Sequence, residues 1–244
     1  MRSVIVTGGS RGLGLAIAAR LAECGYRVIA VARRESEALR LAGESVERRR
    51  CGALDFRAFD LTEIAAMTQW VRSMRKELGP IHGLVNNAGL GTSGVLATMR
   101  DDRIEQLVRL NTVSPITLTK YVVRSMMVER AGRIVNIASV VSLTGYSGLS
   151  VYAATKASLV GFTKSLAREV GPLGINVNAI APGFVDTEMT QELTQGHRET
   201  LVRRSALRRL ADPEDVARAA EFLLGDGSRN ITGTLMTVDA GSTA

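Results

Sequence analysis

Aromatic residues are scarce: Phe, Trp and Tyr make up 4% of the 244 residues, so a core must be assembled from aliphatic side chains and alanine. The two cysteines, Cys24 and Cys51, are too few for a disulfide framework, and a chain of this length buries enough surface to do without one, which points to a reducing cytoplasm. His82 and His197 are the only histidines, and no Cys/His cluster has ligand spacing, so no metal is expected. The apolar run near the start, Val4-Ile5-Val6, is far shorter than a signal-peptide core, and no stretch reaches the ~18 uninterrupted apolar residues of a membrane span. Neither secretion nor membrane insertion is expected. The arginine groups at 48–50, 203–204 and 208–209 lack interleaved aromatics, and no nucleic-acid partner is expected either.

What remains is ordinary globular usage, 45% hydrophobic and 23% charged, which excludes disordered, collagen-like and coiled-coil chains. A formal net charge of +7 favours an anionic partner and also serves solubility. Seven short apolar runs, at 3–7, 27–32, 54–59, 81–87, 133–138, 175–181 and 235–238, alternate with helical patterns near 13–24, 62–78, 101–128, 151–171 and 212–225 and a weaker one after Arg34. That alternation implies right-handed crossovers. The fold expected is α/β, a Rossmann-type doubly wound parallel sheet of seven strands with helices on both faces. Without an internal repeat or a Pro/Gly/Ser linker, one domain is expected over 1–244. Asp212-Pro213-Glu214-Asp215 has the order of an N-cap, a proline at the first helical position and an acidic residue at the third. The polar stretch 187–210 fits a helical flap over a site, or a solvated excursion.

Thr7-Gly8-Gly9-Ser10-Arg11-Gly12-Leu13-Gly14 follows the first strand and opens a helix. Glycines at 8, 12 and 14 allow a tight turn and let a pyrophosphate approach the N–H groups of a helix N-terminus, where the dipole favours negative charge. Gly8, Ser10, Arg11, Gly12, Leu13 and Gly14 are thus set against a dinucleotide. In NAD-type sites a carboxylate ends the second strand and binds the ribose 2′-hydroxyl. Here that strand ends Ala32-Arg33-Arg34. Guanidinium groups in that place suit a 2′-phosphate, each charge-assisted bond being worth roughly 1.5–3 kcal/mol. NADP(H) is therefore the expected cofactor, and Arg11 can supply a further contact.

Tyr152 and Lys156 lie four apart on a helical pattern, one turn from each other on one face. An adjacent cation stabilises phenolate and lowers a tyrosine pKa toward general acid/base range. Ser139 falls at the C-terminal end of the 133–138 strand, the edge where doubly wound sheets bind ligands, and its hydroxyl can donate to a carbonyl.

Taken with Asn86-Asn87-Ala88-Gly89, Asn111 and Pro182-Gly183-x-x-x-Thr187, these motifs resemble the short-chain dehydrogenase/reductase family, from residue 3 onward. The resemblance implies that Tyr152 donates the proton to the substrate oxygen and Ser139 bonds that oxygen. It also implies that Lys156 lowers the tyrosine pKa and binds the nicotinamide ribose, while Asn111 holds a water linking the lysine to solvent. Asp60 and Leu61 would lie at the adenine, and Asn87, Ala88 and Gly89 would line the central cleft. Val185 and Thr187 would meet the carboxamide, with Pro182 and Gly183 also against the cofactor.

Within that family the stretches 132–139, 152–170, 181–189 and 231–233 are most similar to 3-oxoacyl-(acyl-carrier-protein) reductases. That likeness implies NADPH-dependent reduction of a 3-oxoacyl thioester, with an acyl-carrier-protein-bound or small-molecule substrate. It also implies a homotetramer with interfaces at the Tyr152 helix and the 212–225 helix. Arg130 matches one of two arginines such enzymes offer the acidic carrier, whereas Leu173 stands where the second is usual. The Val-Asp-Ala-Gly ending near Asp239 replaces a more frequent double glycine. The alternatives are a reductase of a sugar, steroid, polyketide or xenobiotic ketone, and a non-catalytic NADPH-binding protein.

Overall fold

The computed structural model describes residues 1–185 and 195–244, the side chains of Gln195 and His197 excepted. Its centre is β1 (Ser3–Thr7), whose five residues are all buried. Alternation along the strand sends Val4 and Val6 into one apolar cluster and Ile5 into another. A strand buried on both faces needs cover on both sides, and in parallel sheets crossover helices supply it.

Six more strands join it: β2 (Arg27–Ala32), β3 (Ala53–Ala58), β4 (Ile81–Asn86), β5 (Gly132–Ile137), β6 (Ile175–Pro182) and β7 (Leu235–Val238). They pair in parallel in the order β3-β2-β1-β4-β5-β6-β7, as expected of a doubly wound sheet. On one face α1 (Gly12–Glu23) and α8 (Pro213–Leu224) bring Ile17, Leu21, Val216, Ala220 and Leu224 against Val4, Val6, Val85 and Val135, with α2 (Glu37–Arg49) adding Val46. On the other, α3 (Met67–Leu78), α5 (Ser114–Glu129) and α6 (Ser150–Val170) set Met67, Val71, Leu118, Met126 and Leu166 against Ile5, Ile29, Leu84 and Ile134. Each such side chain contributes roughly 1.5–3 kcal/mol by leaving water. No helix among the described residues is long and apolar enough to cross a membrane.

Strands β1, β2 and β7 keep the boundaries expected from sequence, and the others shift by one residue at one or both ends. The larger departure is in the helical pattern 101–128, which is interrupted. It begins as α4 (Asp101–Val108), widens into a five-residue π turn at Arg109–Val113, and resumes as α5. Pro115, in the first turn of α5, has no N–H for the carbonyl four residues back, that of Asn111, so the regular ladder cannot continue there. The Ser114 hydroxyl bridges the gap, bonding Arg109 O at 2.9 Å and Leu61 O at 2.7 Å. The pattern expected over 62–78 likewise starts late, at Met67, because the Asp60 carboxylate draws residues 60–62 into a turn. Asp212 and Asp215 act as expected at α8, the Asp215 carboxylate accepting from the Asp212 N–H at 3.1 Å. The expected flap falls partly outside the described residues; what is described of it includes α7 (Gln195–Arg204).

Candidate active site

The order of the sheet turns at β1 and β4, so the connections leaving their C-terminal ends diverge and open a crevice. Thr7, the last residue of β1, organises it. Its hydroxyl donates to Val85 O at 3.2 Å and accepts from the N–H groups of Asn87 and Ala88 at 2.9 and 3.0 Å. The Asn87 amide returns across the crevice to Thr7 O at 2.9 Å. The glycine loop and the 87–89 segment are thereby joined into one floor.

Space at the loop is limited by backbone. Gly8 and Gly12 have φ of +67° and +53°, and a β-carbon on Gly14 would lie 2.1 Å from Gly8 O. The N-cap residue of α1, Arg11, makes no side-chain capping bond among the described residues, and the first turn of the helix carries no acidic residue. Its N-terminal dipole end is therefore left for an anion. Leu13 turns against the α1 face of the core, while the Ser10 carbonyl accepts from the Ser36 hydroxyl, the residue that N-caps α2.

At the end of β2, Arg33 and Arg34 are both exposed. The Asp60 carboxylate accepts from the Thr62 N–H at 2.9 Å and from its hydroxyl at 2.8 Å; these bonds, with the charge of Arg33 close by, hold it below the usual carboxylate range. The side chain of Leu61 turns into the core beside Met67, so its backbone is what remains to face the crevice.

Four polar residues converge at the other end. The Lys156 ammonium is buried, donates to Ile137 O at 2.8 Å and lies 5.8 Å from the centre of the Tyr152 ring. Burial alone lowers its pKa to about 8. Asn111, placed inward by the π turn, holds the Leu90 backbone with both ends of its amide at 2.8 Å and reaches Thr155 Oγ1 at 3.1 Å. A β-carbon on Gly89 would come within 3.2 Å of Asn111 Oδ1 and 3.5 Å of Lys156 Nζ, so all three share one pocket wall. Ser139, which follows β5, accepts at its hydroxyl from the Val141 N–H at 3.4 Å and lies close enough to Tyr152 to favour its ionised form.

The tyrosine differs from the expectation. Burial raises its pKa, and the nearby Ser139 hydroxyl opposes this only in part. At neutral pH the phenol is therefore a loaded proton donor rather than a phenolate.

Of the 182–187 segment, Pro182 ends β6, the Gly183 N–H donates to Val238 O at 3.0 Å, and Val185 is buried and bridged in parallel to Ala211. Thr187 lies outside the described residues. The structure thus brings Asn111, Ser139, Tyr152, Lys156 and the 87–89 segment together, with the glycine loop across the crevice.

Residues 2–198 match the short chain dehydrogenase family. This chain belongs to that family. It is 40% identical over 237 residues to the 3-oxoacyl-(acyl-carrier-protein) reductase FabG of Pseudomonas aeruginosa, and 38% identical over 237 residues to that of Vibrio harveyi. Both alignments cover 97% of this chain and 95% of the relative. Among solved structures, a gluconate 5-dehydrogenase from Burkholderia cenocepacia, in complex with NADP and tartrate, superposes with a TM-score of 0.93 at 31% identity, covering 99% of this chain and 95% of the other.

Two contributors escape the sequence. There Thr7 is only the opening of the glycine motif, and Thr155 only a spacer between Tyr152 and Lys156. In the fold Thr155 Oγ1 donates to Tyr152 O at 2.8 Å and accepts from Asn111, tying α6 to the π turn. Threonine inside an amphipathic helix bonds back to the preceding turn as a matter of course, so only the tertiary partner reveals this role.

Proposed function

We propose that this member of the family is an NADPH-dependent ketoreductase that converts a 3-oxoacyl thioester, carried on an acyl carrier protein, to the 3-hydroxyacyl product. The observation that carries it is the convergence of Ser139, Tyr152, Lys156 and Asn111 on one wall of the crevice. Bound NADPH would supply the hydride to the ketone carbon. The Tyr152 hydroxyl gives its proton to the ketone oxygen as the O–H bond forms, and the Ser139 hydroxyl holds that oxygen by a hydrogen bond. Lys156, held by Ile137 O, provides the positive charge beside the phenolate left behind, and Asn111 fixes the Leu90 backbone beside the ammonium.

The residues fit the cofactor on their own terms. The α1 N-terminus and the Gly8, Gly12 and Gly14 backbone suit a pyrophosphate, with Ser10, Arg11 and Leu13 in the same loop. Arg33 and Arg34, with no carboxylate at the end of β2, suit a 2′-phosphate. Asp60 is assigned to the adenine, Val185 and Thr187 to the carboxamide, and Leu61, Pro182 and Gly183 to the cofactor beside them.

The mouth of the crevice favours an acyl substrate over a polyhydroxylated one. Gly94 N–H donates to Gly148 O at 2.9 Å, joining two loops that leave Val95, Leu96, Leu143 and Tyr146 exposed, and Tyr146 leans on Phe184 at 5.6 Å. An apolar rim of that kind suits an alkyl chain. The second reading, oxidation of a sugar acid, draws on the gluconate 5-dehydrogenase likeness but leaves this rim without a purpose. Exposed Arg130 and the net charge of +7 suit an acidic carrier, while Leu173 packs against the core and offers it no charge. A cytoplasmic homotetramer joined through α6 and α8 belongs to the same reading, and Phe222, 43% exposed on α8, suits such a joint.

The test is NADPH oxidation with an acetoacetyl thioester, by wild type and by Tyr152→Phe. Loss of a positioned proton donor removes roughly 10²–10⁴-fold in rate. Comparable rates in the two proteins would end the mechanism, and faster turnover of gluconate than of the thioester by wild type would favour the second reading.

A further inference from the structure

The turn after β7 is more tightly closed than a solvent-facing turn requires. Asp239 Oδ1 accepts from the Gly241 N–H at 3.0 Å, and Oδ2 accepts from the Ser242 hydroxyl at 3.0 Å and from the N–H and hydroxyl of Thr243 at 2.9 and 2.7 Å. These bonds hold two consecutive residues in the left-handed region, Ala240 at φ +53° and Gly241 at φ +76°. A β-carbon disfavours that conformation, yet Ala240 occupies it.

Two segments rest on this turn from opposite sides. Toward the end of β6, the Gly183 N–H donates to Val238 O at 3.0 Å, and a β-carbon on Gly183 would lie 2.8 Å from Asp239 Cβ and 2.9 Å from Asp239 Cα. Toward the end of α7, the Ser205 hydroxyl donates to Ala240 O at 2.7 Å, the Leu207 N–H to the same oxygen at 3.1 Å, and the Ala206 N–H to Gly241 O at 3.3 Å. A β-carbon on Gly241 would come within 2.7 Å of Ala206 Cβ, so this side is also in close contact. The parallel bridge between Val185 and Ala211 joins the two segments again beyond the turn.

We infer that Asp239 is a positioning residue: by closing this turn it fixes segment 182–185, assigned above to the cofactor, and segment 205–211, which ends the stretch read from sequence as a flap over the site, in one relation. The inference rests on the assignment above of Pro182, Gly183 and Val185 to the cofactor. Asp239 touches no reacting atom; it acts through the backbone of Val238, Ala240 and Gly241, and its two sides are separable. Removing the carboxylate disturbs both, whereas removing the Ser205 hydroxyl disturbs only the α7 side.

The experiment measures NADPH Kd by fluorescence titration, KM and kcat with an acetoacetyl thioester, and Tm, for wild type, Asp239→Ala, Asp239→Asn and Ser205→Ala. Asp239→Ala is expected to raise both NADPH Kd and thioester KM about ten-fold, within the range that ångström-scale misplacement produces, with kcat at saturation within about three-fold of wild type. Asp239→Asn, whose amide oxygen can still accept, falls between the two. Ser205→Ala raises thioester KM about five-fold and leaves NADPH Kd within about two-fold, because the Gly183 side is untouched. A lower Tm with unchanged Kd and KM in Asp239→Ala would make the turn merely structural and overturn the inference. If that variant fails to fold, Ser205→Ala decides, and unchanged KM, or equal changes in KM and Kd, would overturn it. Absence of NADPH binding by wild type would sink the functional reading itself and this inference with it, an outcome distinct from a binding wild type with unaffected variants.

Discussion

Lys156 should weaken the fold it serves. Its ammonium is buried, its one bonded partner among the described contacts is Ile137 O, and burial brings its pKa from 10.5 to about 8. At about 1.36 kcal/mol per unit, that displacement corresponds to about 3 kcal/mol spent at neutral pH on keeping the charge inside. Between pH 8 and 10.5 the unfolded chain binds the proton that the folded one has released, so stability rises with pH through that window and is lower by the full amount beneath it. Lys156→Met fills much of the same volume without charge and leaves Ile137 O short of a donor, which costs about 1–2 kcal/mol. The net expectation at pH 7 is a gain of about 1–2 kcal/mol, roughly 3–6 °C in Tm for a domain of this size, together with collapse of ketone reduction. The assay is calorimetric melting of both proteins from pH 7 to 10.5, with turnover measured alongside. A Tm that falls in the variant, or a wild type whose excess pH dependence over the variant is absent above pH 8, would refute this account of a strained, functional charge.

Arg33→Asp should move kcat/KM preference from NADPH toward NADH by about ten- to a hundred-fold, the value of one charge-assisted bond, and an unchanged ratio would make Arg33 a bystander. Burial holds the His82 imidazole below its ordinary pKa, against the bond from its Nε2 to Leu224 O at 3.1 Å; Arg2 and Arg133 add to the lowering and Asp226 opposes it. Stability is therefore complete above about pH 6.5 and is lost as pH falls through the depressed value. His82→Gln, which keeps a donor but does not titrate, should lose less stability than wild type between pH 7 and 5 in urea titrations, and parallel losses would exclude His82 as the cause.

The sheet is readable from sequence because its signal is local and repeated. Runs such as Val4-Ile5-Val6 and Val28-Ile29-Ala30-Val31 have no polar alternation, and strands of that kind belong between two helical layers. The proposed catalytic set stands out in the sequence because its residue types and their order are rarely found together by chance. What escapes depends on where side chains end up. The widening at Arg109–Val113 comes from one proline acting on a carbonyl four residues earlier, within a pattern that otherwise has ordinary helical period. Spacing suggests a tyrosine governed by a neighbouring charge one turn away, but the larger influence is loss of water, which no spacing reveals. Thr7 and Thr155 act through partners about 80 and 44 residues distant.

The position of β1 also bears on how the chain is made. Synthesised before either neighbour, it ends between β2 and β4, and the second of those partners is not available until residue 86 has left the ribosome. Until then one edge of a strand destined for full burial is bare, a template for pairing with other chains, and closing it must wait on a contact across nearly 80 residues, which slows folding. Pulse-labelled hydrogen exchange during refolding would then find the β1 amides protected together with those of β4, and a nascent chain halted before residue 81 would aggregate or require a chaperone.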